Sequence, residues 1–275
     1  MDKASIKHML LAGVFFSIMN VSVKYISHLP AIEIIMFRSL FSFVVSYIIL
    51  KKKKIPPFGK NKKLLILRGV TGSVGLISFF YTLQNIPLAS AVTIQYLSPI
   101  FTSLLGIFIV KERVKPLQFL YFAIAFAGVV IIEGFDPRIS PWWLSIGIIS
   151  AFFSGLAYNI IRKISSSEHP LVIVFYFPLV ALPLVTVVSI FKWVQPQGWD
   201  WLILLGIGIF TQLAQYFMTM AYQNAQLSKI ASLNYIGIIY ALGFGFLFFN
   251  ETYDLLIYLG MLMVLAGVIL NIRSK

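Results

Sequence analysis

The chain contains no cysteine, only three histidines and only nine acidic residues in 275. Without cysteine there is no disulfide framework, no thiolate metal site and no cysteine nucleophile, and the redox compartment is unreadable. His8, His28 and His169 stand at the edges of apolar runs, with no paired acids at ligand spacing, so no metal site is expected. No phosphate-cradling glycine loop and no nucleophile elbow occurs. The pattern therefore implies no cofactor, argues against an enzyme and leaves no nucleotide-driven pump. Long polar stretches are scarce too: only 51–63, a lysine block with Pro56 and Pro57, is sizeable, so no soluble domain is inserted.

What fills the chain is apolar. Hydrophobic residues make up 59% and charged residues 11%, against roughly 45–50% and about 25% in an average soluble domain. Such a chain cannot cover itself with a water-facing surface. The formal charge of +13 would point to nucleic acid in a soluble protein, but the basic residues sit between apolar runs, where lipid headgroups and membrane orientation explain them. The partners expected are the lipid bilayer and a small-molecule substrate, not nucleic acid; a homodimer is allowed.

A membrane helix needs about 20 mostly apolar residues. Ten such runs are read, at 9–27, 32–50, 64–83, 90–110 and 117–133, then 142–164, 171–192, 201–223, 230–249 and 255–271. The first is long, contains Asn20 and Lys24, and ends without a small-residue cleavage pattern, so it is expected to be a retained helix and not a removed signal peptide. With the N-terminus inside, seventeen Lys and Arg fall in inner segments, and only Arg138 and Lys192 in outer ones. Basic loops stay on the cytoplasmic side, so both termini are expected to be cytoplasmic, in a cell (inner) membrane.

The chain also repeats itself. Shifted by 139, the segment 84–129 overlays 223–268 without a gap: Gln84-Asn85 on Gln223-Asn224, Leu88 on Leu227, Tyr96 on Tyr235, Glu112 on Glu251 and Ala127-Gly128-Val129 on Ala266-Gly267-Val268. Apolar composition alone would not place Gln-Asn, Tyr and Glu in one register. A unit of five helices is odd in number, so its second copy enters the membrane from the opposite side. The fold expected is an all-α membrane protein of ten transmembrane helices in two inverted five-helix repeats, 1–135 and 136–275.

The motifs "MFRSLFSF" around Arg38, "LRGVTGS" opening the third span and "NIPLASAVTIQYLSPIFTSLLGIFIVKERV" through the fourth, with Pro99 and Glu112 echoed by "FFNETY" and Glu251, complete a pattern over nearly the whole chain. It resembles the EamA family of the drug/metabolite transporter superfamily. The resemblance implies a ten-helix inverted repeat around a central cavity lined mainly by helices 1, 3, 4, 6, 8 and 9. It implies carriage, proton-coupled or facilitative, of amino acids, nucleotides, organic anions or drugs. One departure is Ile238 where the first half has Pro99, so a hinge at Pro99 would be asymmetric.

Polar groups inside a span are costly unless they face protein or a watery cavity, so each central one is a candidate for cargo contact. Arg38 lies inside the second span; its structural alternative is a clamp on carbonyls or a pair with Glu33. Asn20 and Lys24 share a face of the first span, and Lys24 is equally explained by snorkelling or by Glu33. Arg68, a turn from the inner end of the third span, is expected to snorkel out of the bundle towards the inner interface. Gln212, Gln215 and Tyr216 lie on one face of the eighth span, with interhelical hydrogen bonding, worth about 0.6–2 kcal/mol per contact, as the alternative. Gln95-Tyr96 and Asn234-Tyr235 are repeat mates roughly 14 Å apart in depth at 1.5 Å per residue; the alternative for the tyrosines is packing or an interfacial belt. Glu112 and Glu251 are expected to cap the helices that follow them. Trp142, Trp143, Trp193, Trp199 and Trp201 read as an outer aromatic belt.

The leading expectation is an alternating-access carrier of a small polar metabolite bearing a carboxylate or phosphate, because no acid lies in the middle of any span while Arg38 does. The alternatives are an exporter of drugs or other amphipathic compounds, a lipid flippase or membrane enzyme, and a receptor-like scaffold. Topology is directly measurable: reporters fused after Lys275 and within 51–63 should both read cytoplasmic, and either one on the outer face would reverse the orientation.

Overall fold

The computed structural model describes residues 3–111, 115–136, 138–225, 230, 233 and 236–273. Those residues form helices and no strands. In chain order they are α1 (Lys3–Tyr25), α2 (Ala31–Lys52), α3 (Lys62–Asn85), α4 (Leu88–Gln95), α5 (Ser98–Ile109), α6 (Pro116–Phe135), α7 (Pro141–Lys163), α8 (Pro170–Phe191), α9 (Asp200–Asn224), α10 (Ile236–Phe249) and α11 (Leu255–Arg273). Seven spans, with α4 and α5 counted as one, are long and apolar enough to cross a membrane; three shorter apolar stretches, Pro116–Ile132, Tyr240–Phe249 and Leu255–Gly267, accompany them.

Local chemistry sets the ends. Pro116, Pro141 and Pro170 open α6, α7 and α8, where a missing N–H costs nothing and a fixed φ is already helical. The Asn61 side chain accepts from the Leu64 N–H at the start of α3, and Ser140 Oγ from the Trp143 N–H at the start of α7. The fourth span is broken, not continuous: α4 stops at Gln95, and α5 starts at Ser98 with Pro99 in its first turn. Pro99 has no N–H to donate to the Gln95 carbonyl one turn back, and its ring crowds that carbonyl.

Because the helices are apolar nearly all round, their buried faces are selected by small residues and polar contacts. The main packing pairs are α6 with α11, α1 with α9, α3 with α7, α2 with α8 and α5 with α7; α3 also meets α8, α2 meets α9, α1 meets α10, and α4 meets α10. At the α6–α11 crossing, a Cβ on Gly128 would come within 2.5 Å of the Gly260 carbonyl, and one on Gly260 within 2.8 Å of the Gly128 carbonyl. The backbones touch there, the usual means of joining helices where no water drives association. Large apolar side chains such as Phe108, Phe191, Leu247 and Leu255 face outward, a surface suited to lipid and not to water. Trp142, Trp193, Trp199 and Trp201 are also exposed.

Matched features recur 139 residues apart. The Gln84 side chain donates to the Leu29 carbonyl and Gln223 to the Glu168 carbonyl, each at 2.9 Å. Asn85 and Asn224 both cap back, to Tyr81 and Met220. Lys111 and Asn250 both take left-handed φ, 58° and 50°, after α5 and α10. The two Gln contacts lie at opposite ends of α3: Gln84 is in its last turn, whereas Glu168 accepts from the Lys60 and Asn61 N–H groups just before it begins. A 24-residue helix separates them, a distance of about 36 Å at 1.5 Å per residue.

Gly128→Ala should therefore lower stability in detergent by roughly 1–3 kcal/mol through overpacking. Gly243→Ala, where an added Cβ meets nothing within 4 Å, should be neutral or gain up to about 1 kcal/mol. Equal unfolding transitions for the two variants would contradict the backbone contact.

Candidate functional site

At the centre of the bundle is a cavity of about 110 Å³, lined from α1, α2, α3, α4, α7, α8 and α9 and by the α4–α5 break. Its polar wall comprises Asn20, Arg38, Arg68, Gln95, Tyr96, Ser98, Ser154, Tyr158 and Gln215, and its apolar wall includes Phe16, Met19, Leu76, Phe79, Val92 and Phe177. No aspartate or glutamate is among the described lining residues.

Arg38 and Arg68 are 1% and 2% exposed. Burying a charge this deeply is costly unless something compensates. The compensation on hand is largely aromatic: the Arg38 guanidinium lies 5.5 Å from the Phe80 ring and 5.4 Å from the Phe177 ring, and the Arg68 guanidinium lies 5.3 Å from the same Phe177 ring. Arg68 also donates to Gln215 Oε1 at 3.4 Å. In both arginines Nε and Nη1 have no hydrogen-bond partner, and neither has Asn20 Oδ1. The clamp on carbonyls and the pair with Glu33 expected for Arg38 do not form; Glu33 instead accepts from the Val194 N–H at 3.0 Å.

The snorkelling expected for Arg68 is overturned. Arg68, Gly72 and Gly75 share one face of α3, that face packs inward, and a Cβ on Gly72 would collide with the Arg68 guanidinium and with Phe177. Glycine there is the space the arginine occupies. The i, i+4, i+7 alignment of a charge with two glycines was the available signal that Arg68 faces protein and not lipid.

Gln95 is placed by the helix break and held on both sides: its amide donates to Ser154 Oγ at 2.9 Å and accepts from Ser150 Oγ at 2.7 Å, and Ser150 lies 2.7 Å from the Gly75 carbonyl. Tyr158 stacks on Tyr222 at 4.5 Å. Ser154 and Tyr158, one turn apart on α7, were not singled out, since neutral groups carry little signal in an apolar helix.

Of the residues read as cargo contacts, Asn20, Arg38, Gln95, Tyr96 and Gln215 meet at this cavity. Gln212 points elsewhere, donating to Ser46 Oγ at 2.8 Å and joining α9 to α2. Tyr216 packs edge-on against Phe217, outside the lining. Pro99 is buried in the first turn of α5, beside the break. Asn234, Tyr235 and Glu112 lie outside the described residues.

Lys24 belongs to a different cluster, at the rim opposite the lysine-rich loop. Its ammonium donates to the Ile86 carbonyl at 2.6 Å and lies 3.2 Å from Glu251 Oε1; its partner is thus Glu251, not Glu33. Both Glu251 oxygens accept from the Leu88 N–H at 2.9 Å, so this carboxylate caps α4 across the bundle and not α11, which follows it. The Tyr253 hydroxyl donates to Glu251 at 2.7 Å. Burial, and then the adjacent carboxylate, hold that phenol above its ordinary range, so it remains a donor. Arg138 pairs with Asp136 at 2.8 Å and reaches the Thr252 carbonyl at 3.3 Å.

A bundle of apolar helices around a cavity with a partly polar wall and no acid among its described lining residues is the architecture of a multi-pass membrane transporter. The chain belongs to the EamA-like transporter family, whose pattern matches residues 4–134 and again 141–273. It is 31% identical to the pseudopaline exporter CntI of Pseudomonas aeruginosa, over 99% of this chain and 97% of that one. It is 30% identical to an uncharacterized transporter of Helicobacter pylori, covering 94% and 91%, and 29% identical to solute carrier family 35 member G1 of Homo sapiens, covering 88% and 72%. A crystal structure of 15% identity superposes with a TM-score of 0.76, covering 98% of this chain and 96% of the other, and shares its fold. The family and these relatives make the protein a transporter and not an enzyme.

The rim cluster has a measurable signature. Lys24→Met and Glu251→Gln should each cost about 1–3 kcal/mol of stability, because each strands a partner in a half-buried site. The double variant should lose clearly less than the two together. Strict additivity would show that the two residues do not act as a pair.

Proposed function

We propose that the protein is an alternating-access secondary transporter of a small polar metabolite carrying a carboxylate or phosphate, such as an amino acid, an organic anion or a nucleotide-like compound. The observation that carries this reading is Arg38: a buried guanidinium with unpartnered N–H groups on a cavity whose described lining contains no acid. A cargo oxyanion supplies the missing acceptor, in the bidentate geometry that guanidinium favours and ammonium does not reproduce.

The two accesses come, on this reading, from two inverted five-helix halves, 1–135 and 136–275. Support lies in the family pattern matching each half separately, the Gln, Asn and left-handed turn features repeated at an interval of 139, and the pairing of helices. Exchanging the halves carries the α1–α9 contact into α3–α7 and the α1–α10 contact into α5–α7, and leaves α2–α8 and α6–α11 on themselves. Such symmetry lets one fold adopt two mirror-related states around a fixed central site. Pro99 and the α4–α5 break provide the hinge. The lysine-rich rim faces the cytoplasm, with both termini, in a cell (inner) membrane. Transport is driven by a gradient of cargo or of a coupled ion.

The aromatic and aliphatic part of the wall, Phe16, Met19, Leu76 and Phe79, favours a second reading: outward transport of amphipathic compounds, in keeping with the exporter named among the relatives.

Arg38→Lys and Arg38→Gln should weaken uptake of an anionic cargo into liposomes by about tenfold or more per folded molecule, equivalent to about 1.4 kcal/mol, with folded yield largely kept for the lysine variant. Wild-type rates in both would remove Arg38 from the binding site and leave the amphipathic reading standing.

A further inference from the structure

We propose that the cargo carries two anionic groups, one for Arg38 and one for Arg68, the two arginines that flank the cavity beside the Phe177 ring. This rests on the anion reading above and narrows it. Arg38 comes from α2 and Arg68 from α3, and both face the same cavity. Their distances to the Phe177 ring, 5.4 and 5.3 Å, cap the separation of the two guanidinium carbons at 10.7 Å. Two like charges therefore share one water-poor compartment with no described acidic lining residue to offset either, and in such surroundings their repulsion is weakly screened.

Hydrogen bonding is incomplete in the same places as the charge. Nε and Nη1 are unpartnered in each arginine, and the one acceptor Arg68 has, Gln215 Oε1 at 3.4 Å, is long and neutral. A monoanion would complete one fork and leave the other a buried, uncompensated cation, the costly arrangement. A molecule with two oxyanion groups completes both. Asn20 Oδ1, an unpartnered acceptor on the same wall, adds a place for an N–H or O–H of that molecule. Gln95 is not free for this, since Ser150 and Ser154 already occupy its amide. The position of Arg68 is itself provided for: Gly72 has no side chain where the guanidinium lies.

The test uses the full-length protein in detergent at matched ionic strength. Thermal stabilisation is titrated with a dicarboxylate series from malonate to pimelate, and with pyrophosphate. Each dicarboxylate is set against the monocarboxylate and the diamide of equal chain length, and pyrophosphate against inorganic phosphate. Ligands that bind the folded state raise its transition in proportion to occupancy. The expected result is that at least one dianion half-saturates at about tenfold lower concentration than its monoanionic match, and that Arg68→Gln reduces this ratio to near one, with Arg68→Lys intermediate. If monoanions match every dianion, or if the preference persists in Arg68→Gln, the two-anion inference fails while the anion reading stands. Where Arg68→Gln does not fold, an unaltered ratio in Arg68→Lys overturns the inference equally. Stabilisation by none of the anions beyond a chloride control overturns both readings.

Discussion

The cost of holding two guanidinium groups in a water-poor interior is the constraint on which the centre of this protein is organised. Three helices converge on it: α2 and α3 bring the arginines and α8 brings the ring both stack on. The Phe80 ring lies 5.5 Å from the Arg38 guanidinium, and the glycine face of α3 leaves room for Arg68. Aromatic faces soften the desolvation of a cation without neutralising it. On the anion reading, the site is thus tolerable when empty and completed by an acidic ligand. A carboxylate from the protein would have removed that difference.

The rim opposite the lysine-rich loop follows the reverse rule. There Lys24, Glu251, Tyr253, Arg138 and Asp136 are paired with one another or with backbone groups. The placement of Glu251 is the instructive part, because a single carboxylate binds the end of α1, the start of α4 and the segment before α11. An acid at a helix N-terminus is stabilised by the exposed N–H groups and the helix dipole, so the bond is strong although the residues are distant in sequence. The charges of this rim cluster are paired, whereas the two arginines on the cavity keep unpartnered N–H groups.

Much of the architecture was legible before any coordinates. The long apolar runs follow from length and hydropathy, which are local properties, and Pro99 was marked as a hinge within the fourth run, where the structure ends one helix and starts the next. The site was legible where a polar residue lay deep in a span, as with Arg38, Asn20, Gln95 and Gln215. It was misread where depth had to stand in for direction. Arg68 was placed by its distance from a helix end, yet what decides its role is which face of α3 it occupies. Gln212 and Tyr216 share a helix with Gln215 but serve α2 and Phe217 instead. Glu251 was assigned to the nearest helix in the chain, whereas two of its partners, Lys24 and the Leu88 N–H, come from the other half. A one-dimensional pattern supplies depth well and azimuth poorly, and long-range partners hardly at all.

The matched hydrogen bonds of Gln84 and Gln223 have a consequence for energetics. On the inverted-repeat reading, interconversion of the two states swaps the surroundings of the halves, so contacts with an exact counterpart contribute equally to both and cancel in the difference. The resting bias of the conformational equilibrium is then set by the positions whose twins differ: Pro99 facing Ile238, and Leu29 facing Glu168. A carrier of this kind can be retuned between inward and outward preference by substitutions at a few such positions, with the symmetric bulk of the bundle left as it is.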